Sequence, residues 1–369
     1  MDSESQAREV PTLTHPSLPG DRRPELMQAG VVVVGSVDHS DLHDTGVGHP
    51  ERAERTHAVY AGVERAGVGD SLIYSAGRPA TRAELLRVHR SEYLNSLCDF
   101  IVGGGRQLDP DTTVSAGSWD AALYSAGGGL AAIEALDRRE ARSAFVAMRP
   151  PGHHATASSA MGFCLLNNVA IAAASLIERG ERVLIVDWDV HHGNGTQAIF
   201  WDDPRVLYVS IHEWPSYPGT GWHTETGGPT ATGLTVNIPL PAGATGDVAH
   251  QAFDQIISPA AEEFGPTWVL VSCGFDAHRD DPLAGLAWSA GDYFDLTRAV
   301  ARLAPGVGHL VLLLEGGYDL NAVTLSAGAV VSSMAGGNYR PEPSTSGGPG
   351  RETVNSLTRT RARTRELDR

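Results

Sequence analysis

Short apolar runs alternate along the chain with longer helical segments, and this alternation constrains the fold more than any other sequence feature. The clearest apolar runs predict strands at 31–34, 144–148, 183–186, 206–211, 268–272 and 310–314. Apolar positions three or four residues apart predict helices over 119–136, 166–178, 247–264 and 291–303. Because the predicted strands are apolar throughout and are joined by helices, we expect an α/β fold with a mostly parallel central sheet and helices on both faces.

The composition divides the chain into three parts. Neither a repeat nor a linker interrupts residues 30–340, so we predict one domain there. Residues 1–29 are polar and contain prolines, which predicts a flexible leader. Residues 341–369 begin with a stretch rich in Pro, Ser and Gly and end with many arginines, which predicts a disordered Arg-rich tail. A weak basic docking arm is the alternative interpretation of this tail.

Charge and composition argue against several classes of function. The formal net charge of -16 argues against direct nucleic-acid binding, which needs many cationic contacts to phosphate. All 28 basic residues are arginines, which excludes a catalytic lysine. Since no apolar run approaches the roughly 20 residues that span a bilayer, we predict no membrane partner. Three cysteines without a CxxC motif, and no signal-peptide pattern at the start, predict a cytoplasmic location.

Ionisable residues stand where several of the predicted strands end. They are Asp187, Asp189, His212, Asp276 and Glu315. Open α/β sheets bind ligands beyond the carboxyl ends of their strands. A helix-capping role would account for any one of these acids, but not for all of them together. We therefore expect a functional site at this edge of the sheet.

One His and two Asp residues have the pattern of a metal site. If the strand that begins at residue 183 continues to Val190, then Asp187, Asp189 and His191 point to the same side. Such a cluster is costly unless a cation neutralises it. With Asp276 from another strand, Asp189 and His191 would supply the three protein ligands of a catalytic zinc and leave one position open. Iron(II) or manganese is the alternative metal for this donor set.

Two further motifs carry side chains suited to acid–base chemistry. His153 and His154 follow a strand in a loop fixed by two prolines and a glycine. Beside a metal they would transfer the protons of a water and of a leaving amine, although two solvent-facing loop histidines are the plainer interpretation. Tyr318 follows a strand and a Gly-Gly turn. Its hydroxyl would stabilise an oxyanion, or the ring would only pack.

These motifs resemble those of the histone deacetylase family, in the class II branch that also contains acetylpolyamine amidohydrolases and bacterial members. The similarity runs from about Asp41 to about Ser333. Its markers include Gly48-His-Pro-Glu-Arg52, Arg149-Pro-Pro-Gly-His-His154, the segment from Asp187 to Gln197, Gly274-Phe-Asp-Ala-His278 and Glu315-Gly-Gly-Tyr318. The resemblance implies a single-domain arginase-like fold with one zinc ion at the strand ends, and it makes residues 30–340 the catalytic domain.

The resemblance also implies a role for each site residue. Asp189, His191 and Asp276 match the zinc ligands. His153 and His154 match the tandem acid–base histidines, and Tyr318 matches the tyrosine that hydrogen-bonds the amide carbonyl. Asp187 matches the partner of the first histidine. Asn194 matches the partner of the second, where class I members have Asp and where a neutral group favours the imidazolium less.

A cation site and a substrate tunnel are implied in the same way. A structural potassium ion is implied at Asp187, Asp189, His191, Ser210 and Ile211, partly through backbone carbonyls. The tunnel is implied to have aromatic walls, a backbone acceptor and a rim: Phe163 and Tyr217, Gly162, and Asp111 with Leu283. Tyr217 stands where Phe is common in the family. A Glu at the position of Leu283 would suit polyamines, whereas Leu suits acyl-lysine peptides.

The implied activity is zinc-dependent hydrolysis of N-acetyl-lysine, in a protein or peptide, to acetate and a free amine. Hydrolysis of acetylpolyamines or other small acylated amines is the alternative. An arginase-type hydrolase with two metals and a non-catalytic acyl-lysine-binding protein are more distant alternatives. The sequence leaves a homo-oligomer open.

Overall fold

The computed structural model describes the backbone of residues 29–367 and the side chains of residues 30–363. The predicted leader lies outside the described residues, apart from Ala29. The described chain forms one sheet of eight strands. These are β1 (Ala29–Val34), β2 (Leu72–Ser75), β3 (Ala141–Val146), β4 (Val183–Asp187), β5 (Val206–Glu213), β6 (Thr235–Leu240), β7 (Trp268–Cys273) and β8 (Leu310–Leu314).

Twelve α-helices connect or flank the strands in the same range of residues. The first six are α1 (Val37–Asp41), α2 (Glu54–Arg65), α3 (Arg82–Leu85), α4 (Ser91–Val102), α5 (Ser118–Asp137) and α6 (Asn168–Ile177). The others are α7 (Asn194–Ile199), α8 (Gly246–Ala252), α9 (Ser258–Phe264), α10 (Ala290–Ala301), α11 (Leu320–Met334) and α12 (Arg351–Leu367). A π-helical turn, Phe253–Ile257, separates α8 from α9 inside the helix predicted over 247–264.

Every neighbouring pair of strands is parallel, and the sheet order is β2-β1-β3-β8-β7-β4-β5-β6. The six predicted strands are confirmed. The sequence missed β2 and β6, which form the two edges of the sheet. β2 is short and exposes Ile73 and Tyr74, and β6 is interrupted by polar residues and Pro239, so neither shows a continuous apolar run.

Side chains alternate between the two faces of the sheet, and helices cover both faces. Val31 and Val33 belong to one buried cluster, which α2, α9, α10 and α11 complete. Val32 and Val34 belong to the other, with α4, α5 and α6. The predicted α/β architecture is therefore confirmed as one domain with a fully parallel sheet. In the described part of the chain, no helix has the length and apolar character needed to cross a membrane.

The structure corrects the prediction of a disordered tail. Residues 341–350 cross the protein surface in an irregular segment that hydrogen-bonds to Ser289, Asp292 and Thr245, and α12 follows it. Val354 is fully buried and Leu357 is 8% exposed, and both join the core beside α8 and the π-helical turn. Among the described side chains of this polar helix, two apolar residues, three positions apart, join the core. A prediction based on average composition therefore missed it.

Candidate active site and metal centre

One His and two Asp side chains come together beyond β4 and β7. The Nδ1 atom of His191 lies 3.3 Å from Oδ1 of Asp189 and 3.3 Å from Oδ2 of Asp276. One ligand atom from each residue falls within 4.8 Å of the others. The Asp276 Oδ2 atom is buried and has no hydrogen-bond partner in the described part of the chain. An unsatisfied buried carboxylate oxygen is what a bound cation would satisfy, so these residues fit a divalent metal.

Asp189 and His191 lie in the loop after β4, and this loop brings them close to Asp276. β4 ends at Asp187, so the condition that the strand continues to Val190 is not met. Beyond Asp187 the carboxylates accept hydrogen bonds from backbone N–H groups of the loop. Asp187 accepts from the Asp189 N–H at 3.2 Å, and Asp189 accepts from the His191 N–H at 2.9 Å. Asp276 accepts from the Val190 N–H at 2.9 Å. Asp189, His191 and Asp276 do lie close together, but hydrogen bonds in the loop, and not the alternation of a strand, bring them there.

Two motif glycines allow the loops to close around the carboxylates. A Cβ atom at Gly316 would overlap carboxylate oxygens of both Asp276 and Asp189, and one at Gly274 would overlap Asp189. The Gly316 N–H also donates to Oδ2 of Asp189 at 2.7 Å. Any side chain at these two positions would push the candidate ligands apart.

His153 is held by a buried carboxylate. Its Nδ1 atom lies 3.1 Å from Oδ2 of Asp187, and the same oxygen accepts a hydrogen bond from the Tyr208 hydroxyl at 3.1 Å. Burial opposes protonation of His153. The charges of Asp189 and Asp187 outweigh burial and hold its pKa well above the usual range.

His154 has a neutral partner, and its surroundings shift its pKa in the direction opposite to that of His153. Its Nδ1 atom lies 2.8 Å from Oδ1 of Asn194. The Asn194 amide donates to the Met161 sulfur at 3.3 Å, which directs Oδ1 to His154. Burial, followed by the charges of His153 and His191, lowers the pKa of His154 well below its usual value. Adjacent groups with pKa values pushed apart are the arrangement that acid–base catalysis uses.

Tyr318 lies between a cation and an aromatic ring. The Arg55 guanidinium is 5.0 Å from the centroid of the Tyr318 ring, and the Phe163 ring lies edge-on at 5.7 Å. The Tyr318 backbone N–H donates to Oδ2 of Asp281 at 2.7 Å. Burial, with the charge of Asp276, raises the pKa of Tyr318, so the hydroxyl stays protonated and remains a hydrogen-bond donor.

Aromatic side chains line the approach to the histidines. The Tyr217 ring lies edge-on to His154, with centroids 5.1 Å apart, and it is 38% exposed. Gly162 packs so closely that a Cβ there would lie 3.0 Å from the Tyr217 ring and 2.5 Å from the His154 ring. Phe163 adopts a φ of 68°, which turns this short segment sharply. Of the predicted wall residues, Tyr217 therefore lies against His154, and Phe163 lies against Tyr318.

The predicted rim residues lie farther out. The Asp111 carbonyl is 3.1 Å from Nε2 of His49, whose ring packs edge-on against Phe163 at 4.9 Å. The Leu283 side chain is 41% exposed, and its N–H donates to Asp281 at 3.0 Å.

Comparison with known proteins identifies the family. Residues 49–334 match the histone deacetylase domain. The chain belongs to the histone deacetylase family. A probable deacetylase of Archaeoglobus fulgidus is 39% identical over 329 residues, which cover 84% of this chain and 91% of that protein. A histone deacetylase-like amidohydrolase of Pseudomonas aeruginosa is 36% identical over 294 residues, with coverages of 78% and 77%.

A solved structure supports the same assignment at the level of the fold. The crystal structure of the HDA15 HD domain aligns with a TM-score of 0.82 and 33% identity, and the alignment covers 93% of this chain and 99% of that one. The predicted family and arginase-like fold are therefore confirmed. The chain is a histone deacetylase-family amidohydrolase with a candidate metal site at Asp189, His191 and Asp276.

The residues predicted to bind potassium in this deacetylase-family chain lie at the end of β4, in the loop that follows it, and in the adjacent strand β5. The register of β4 and β5 pairs Asp187 with Ser210, and Ile211 follows in β5. The Ser210 hydroxyl is 2.8 Å from Nδ1 of His212. Potassium binding itself stays a prediction.

Sequence reasoning missed a buried ion cluster behind Tyr318. Two nitrogens of Arg149 donate to the two oxygens of Glu51, each at 2.7 Å, and Arg55 donates to the same carboxylate at 3.0 Å. Arg55 also donates to the Gly317 carbonyl at 2.5 Å. Glu51 and Arg149 belong to motifs that mark the family, but no local pattern pointed to Arg55.

Glu315 was predicted as a strand-end acid, and the structure gives it a specific set of contacts. Its Oε2 atom accepts hydrogen bonds from the Gly152 and His153 N–H groups at 2.7 and 3.1 Å. Its Oε1 atom accepts from the Ser272 hydroxyl at 3.1 Å. Glu315 therefore fixes the backbone of the loop that carries the His pair.

Proposed function

We propose that this chain is a zinc-dependent deacetylase that hydrolyses N-acetyl-lysine in proteins or peptides to acetate and a free amine. The observation that carries the proposal is the convergence of three elements: a candidate metal triad, a His pair with unlike partners, and Tyr318. Metal-assisted amide hydrolysis uses a Lewis acid, a proton carrier and an oxyanion donor, and these elements would supply them. Iron(II) or manganese remains the alternative to zinc.

Asp189, His191 and Asp276 would hold the metal. When bound, the ion supplies Lewis acidity to the amide carbonyl and the attacking water. His154 has a neutral partner in Asn194 and a lowered pKa, so it is suited to take the water proton and return it to the leaving amine. His153, whose Nδ1 atom is paired with Asp187, would share the transfer of the water proton with His154.

Tyr318 would complete the oxyanion site from the other side. Its backbone is fixed by Asp281, and its ring is held between Arg55 and Phe163. Its protonated hydroxyl would donate to the oxygen as the carbonyl becomes an oxyanion. A structural potassium ion beside Asp187 and Ser210 would offset the buried carboxylates, and we retain it as part of the proposal.

One rim residue, Leu283, favours acetyl-lysine peptides, and another, Asp111, favours polyamines. The exposed Leu283 offers an apolar contact to a peptide. Burial and the neighbouring Asp109 raise the pKa of Asp111, and a substrate cation would offset the repulsion between these two carboxylates. Steady-state kinetics of the zinc-loaded protein on an acetyl-lysine peptide and on acetylspermidine tests the choice. We expect the higher kcat/KM for the peptide, and a higher value for acetylspermidine would overturn the substrate assignment.

A two-metal mechanism has less support. A second cluster, His153, Cys164 and Glu315, has ligand atoms within 4.8 Å of one another. Both Glu315 oxygens already accept hydrogen bonds. Burial raises the pKa of the Cys164 thiol, which keeps it protonated and a poor metal ligand. A cytoplasmic location and a homo-oligomer stay predictions.

A further inference from the structure

A segment outside the family match packs behind the active site. Residues 340–350, here called the C-terminal strap, follow the matched region, which ends at residue 334. The Pro343 carbonyl accepts a hydrogen bond from the Ser289 hydroxyl at 2.7 Å, and the Thr345 hydroxyl donates to Asp292 at 2.7 Å. The strap is therefore fixed across the first turn of α10.

Glu342 is the strap residue that reaches inward. Its Oε2 atom lies 2.8 Å from Nε2 of His278 and accepts from the Ala290 N–H at 2.8 Å, while Oε1 pairs with Arg279. His278 is fully buried. Its Nδ1 atom accepts from the Asp280 N–H at 3.2 Å, which places the ring hydrogen on Nε2. That hydrogen is therefore donated to Glu342.

The His278 loop joins two parts of the active site. It begins two residues after the candidate ligand Asp276 and continues to Asp281, whose N–H donates to the His278 carbonyl at 2.9 Å. Asp281 in turn accepts from the Tyr318 N–H at 2.7 Å. A continuous set of contacts therefore leads from Glu342 through His278 and Asp281 to Tyr318.

We propose that Glu342 is a positioning residue for Tyr318 and Asp276, so that the strap is part of the working enzyme. Removing the carboxylate would leave the buried His278 N–H without an acceptor, which is costly. The loop would then relax to reach water, and it would carry Asp281 and the Tyr318 backbone with it. The effect on turnover rests on the proposed function, whereas the effect on loop order does not.

Three variants separate this role from general loosening of the strap. Glu342→Ala removes the acceptor, Glu342→Gln keeps an acceptor oxygen without charge, and Arg340→Ala is the matched control. Arg340 lies two residues away, is 35% exposed and pairs with Asp295 and Ser344, not with the His278 loop. Hydrogen exchange is measured on peptides that contain residues 276–283 and 316–319, together with zinc affinity, kcat and KM on an acetyl-lysine peptide.

We expect Glu342→Ala to speed exchange in both peptides by about tenfold. We also expect zinc affinity or kcat to fall by about 10–100-fold, with KM within about twofold, as for other residues that orient metal ligands. Glu342→Gln should recover most of the loss, and Arg340→Ala should match the parent. Unchanged exchange and kcat in Glu342→Ala, or equal losses in Arg340→Ala, would overturn the proposal.

Failure of a variant to fold, and an inactive parent, each have a defined interpretation. If Glu342→Ala does not fold, Glu342→Asp takes its place, because it withdraws the carboxylate from His278 by one methylene and keeps the charge. Parent-like exchange and zinc affinity in Glu342→Asp would then overturn the proposal. A parent protein that releases no acetate would contradict the proposed function alone, since exchange and zinc affinity still test the positioning role.

Discussion

Replacing Tyr318 by Phe removes one hydroxyl from the proposed oxyanion site and leaves the ring. The ring contacts with Phe163 and the Arg55 guanidinium should persist, since neither involves the hydroxyl. The backbone contact to Asp281 should persist as well. The loss should therefore fall on the transition state, where the hydroxyl would donate to the developing oxyanion.

The size of this effect follows from the chemistry of one lost donor. Removing a single oxyanion donor lowers kcat by about 10²–10³-fold in a protease, and we expect a similar decrease for Tyr318→Phe. KM should change by less than about threefold, because the ground-state carbonyl gains less from the hydroxyl. Zinc content and hydroxamate binding should be largely kept, since Tyr318 is not among the candidate ligands.

Tyr217→Phe is the matched control. It removes a hydroxyl from the other aromatic wall, and Tyr217 has no proposed chemical role. Steady-state kinetics on both zinc-loaded variants, with an acetyl-lysine peptide, decides the question. A kcat for Tyr318→Phe within about threefold of the parent would refute the oxyanion role and leave packing as the function of Tyr318.

Three further predictions concern the metal, the tail and acid stability. Asp276→Ala should lose bound zinc and activity together, and near-normal zinc content by elemental analysis would remove Asp276 from the ligand set. Deleting residues 351–369 should lower the free energy of unfolding in urea by about 3–6 kcal/mol, because Val354 and Leu357 lose their burial; an unchanged midpoint would contradict the packing of α12. Burial lowers the pKa of His89 to about 4, so the unfolded chain binds a proton that the folded chain excludes between about pH 6.5 and 4. Stability should therefore fall by about 2 kcal/mol for this group between pH 7 and pH 5, and His89→Asn should show a shallower pH slope than the parent; an equal slope would argue against a neutral His89.

The sequence predicted the parts of the fold that have a local periodic signal. The buried strands β4 and β7 are continuous apolar runs, and α5 and α10 show helical spacing, so their positions were predicted within a few residues. The edge strands β2 and β6 lack such runs. α12 is mainly polar and is held by Val354 and Leu357, so its order depends on partners distant in sequence.

The same distinction applies to the site. Asp189 and His191 lie close together in one motif, and their clustering with Asp276 was predicted from strand ends. The structure shows that backbone N–H groups in the loop arrange them, which the alternation of a strand does not describe. Arg55 contacts the backbone next to Tyr318, and Glu342 contacts the His278 loop, and both residues are distant in sequence from the groups they contact. Their roles carry no spacing signal and become visible only with the tertiary contacts.

The central claim is that one metal ion at Asp189, His191 and Asp276 supports hydrolysis of an acetylated amine. Titrating the metal-free chain with Zn²⁺, while acetate release from an acetyl-lysine peptide is followed, tests it most directly. We predict that activity rises linearly to a plateau at one zinc per chain, and that Asp276→Ala shows no rise over the same range. Full activity in the metal-free chain, or a plateau only at two metals per chain, would contradict the claim.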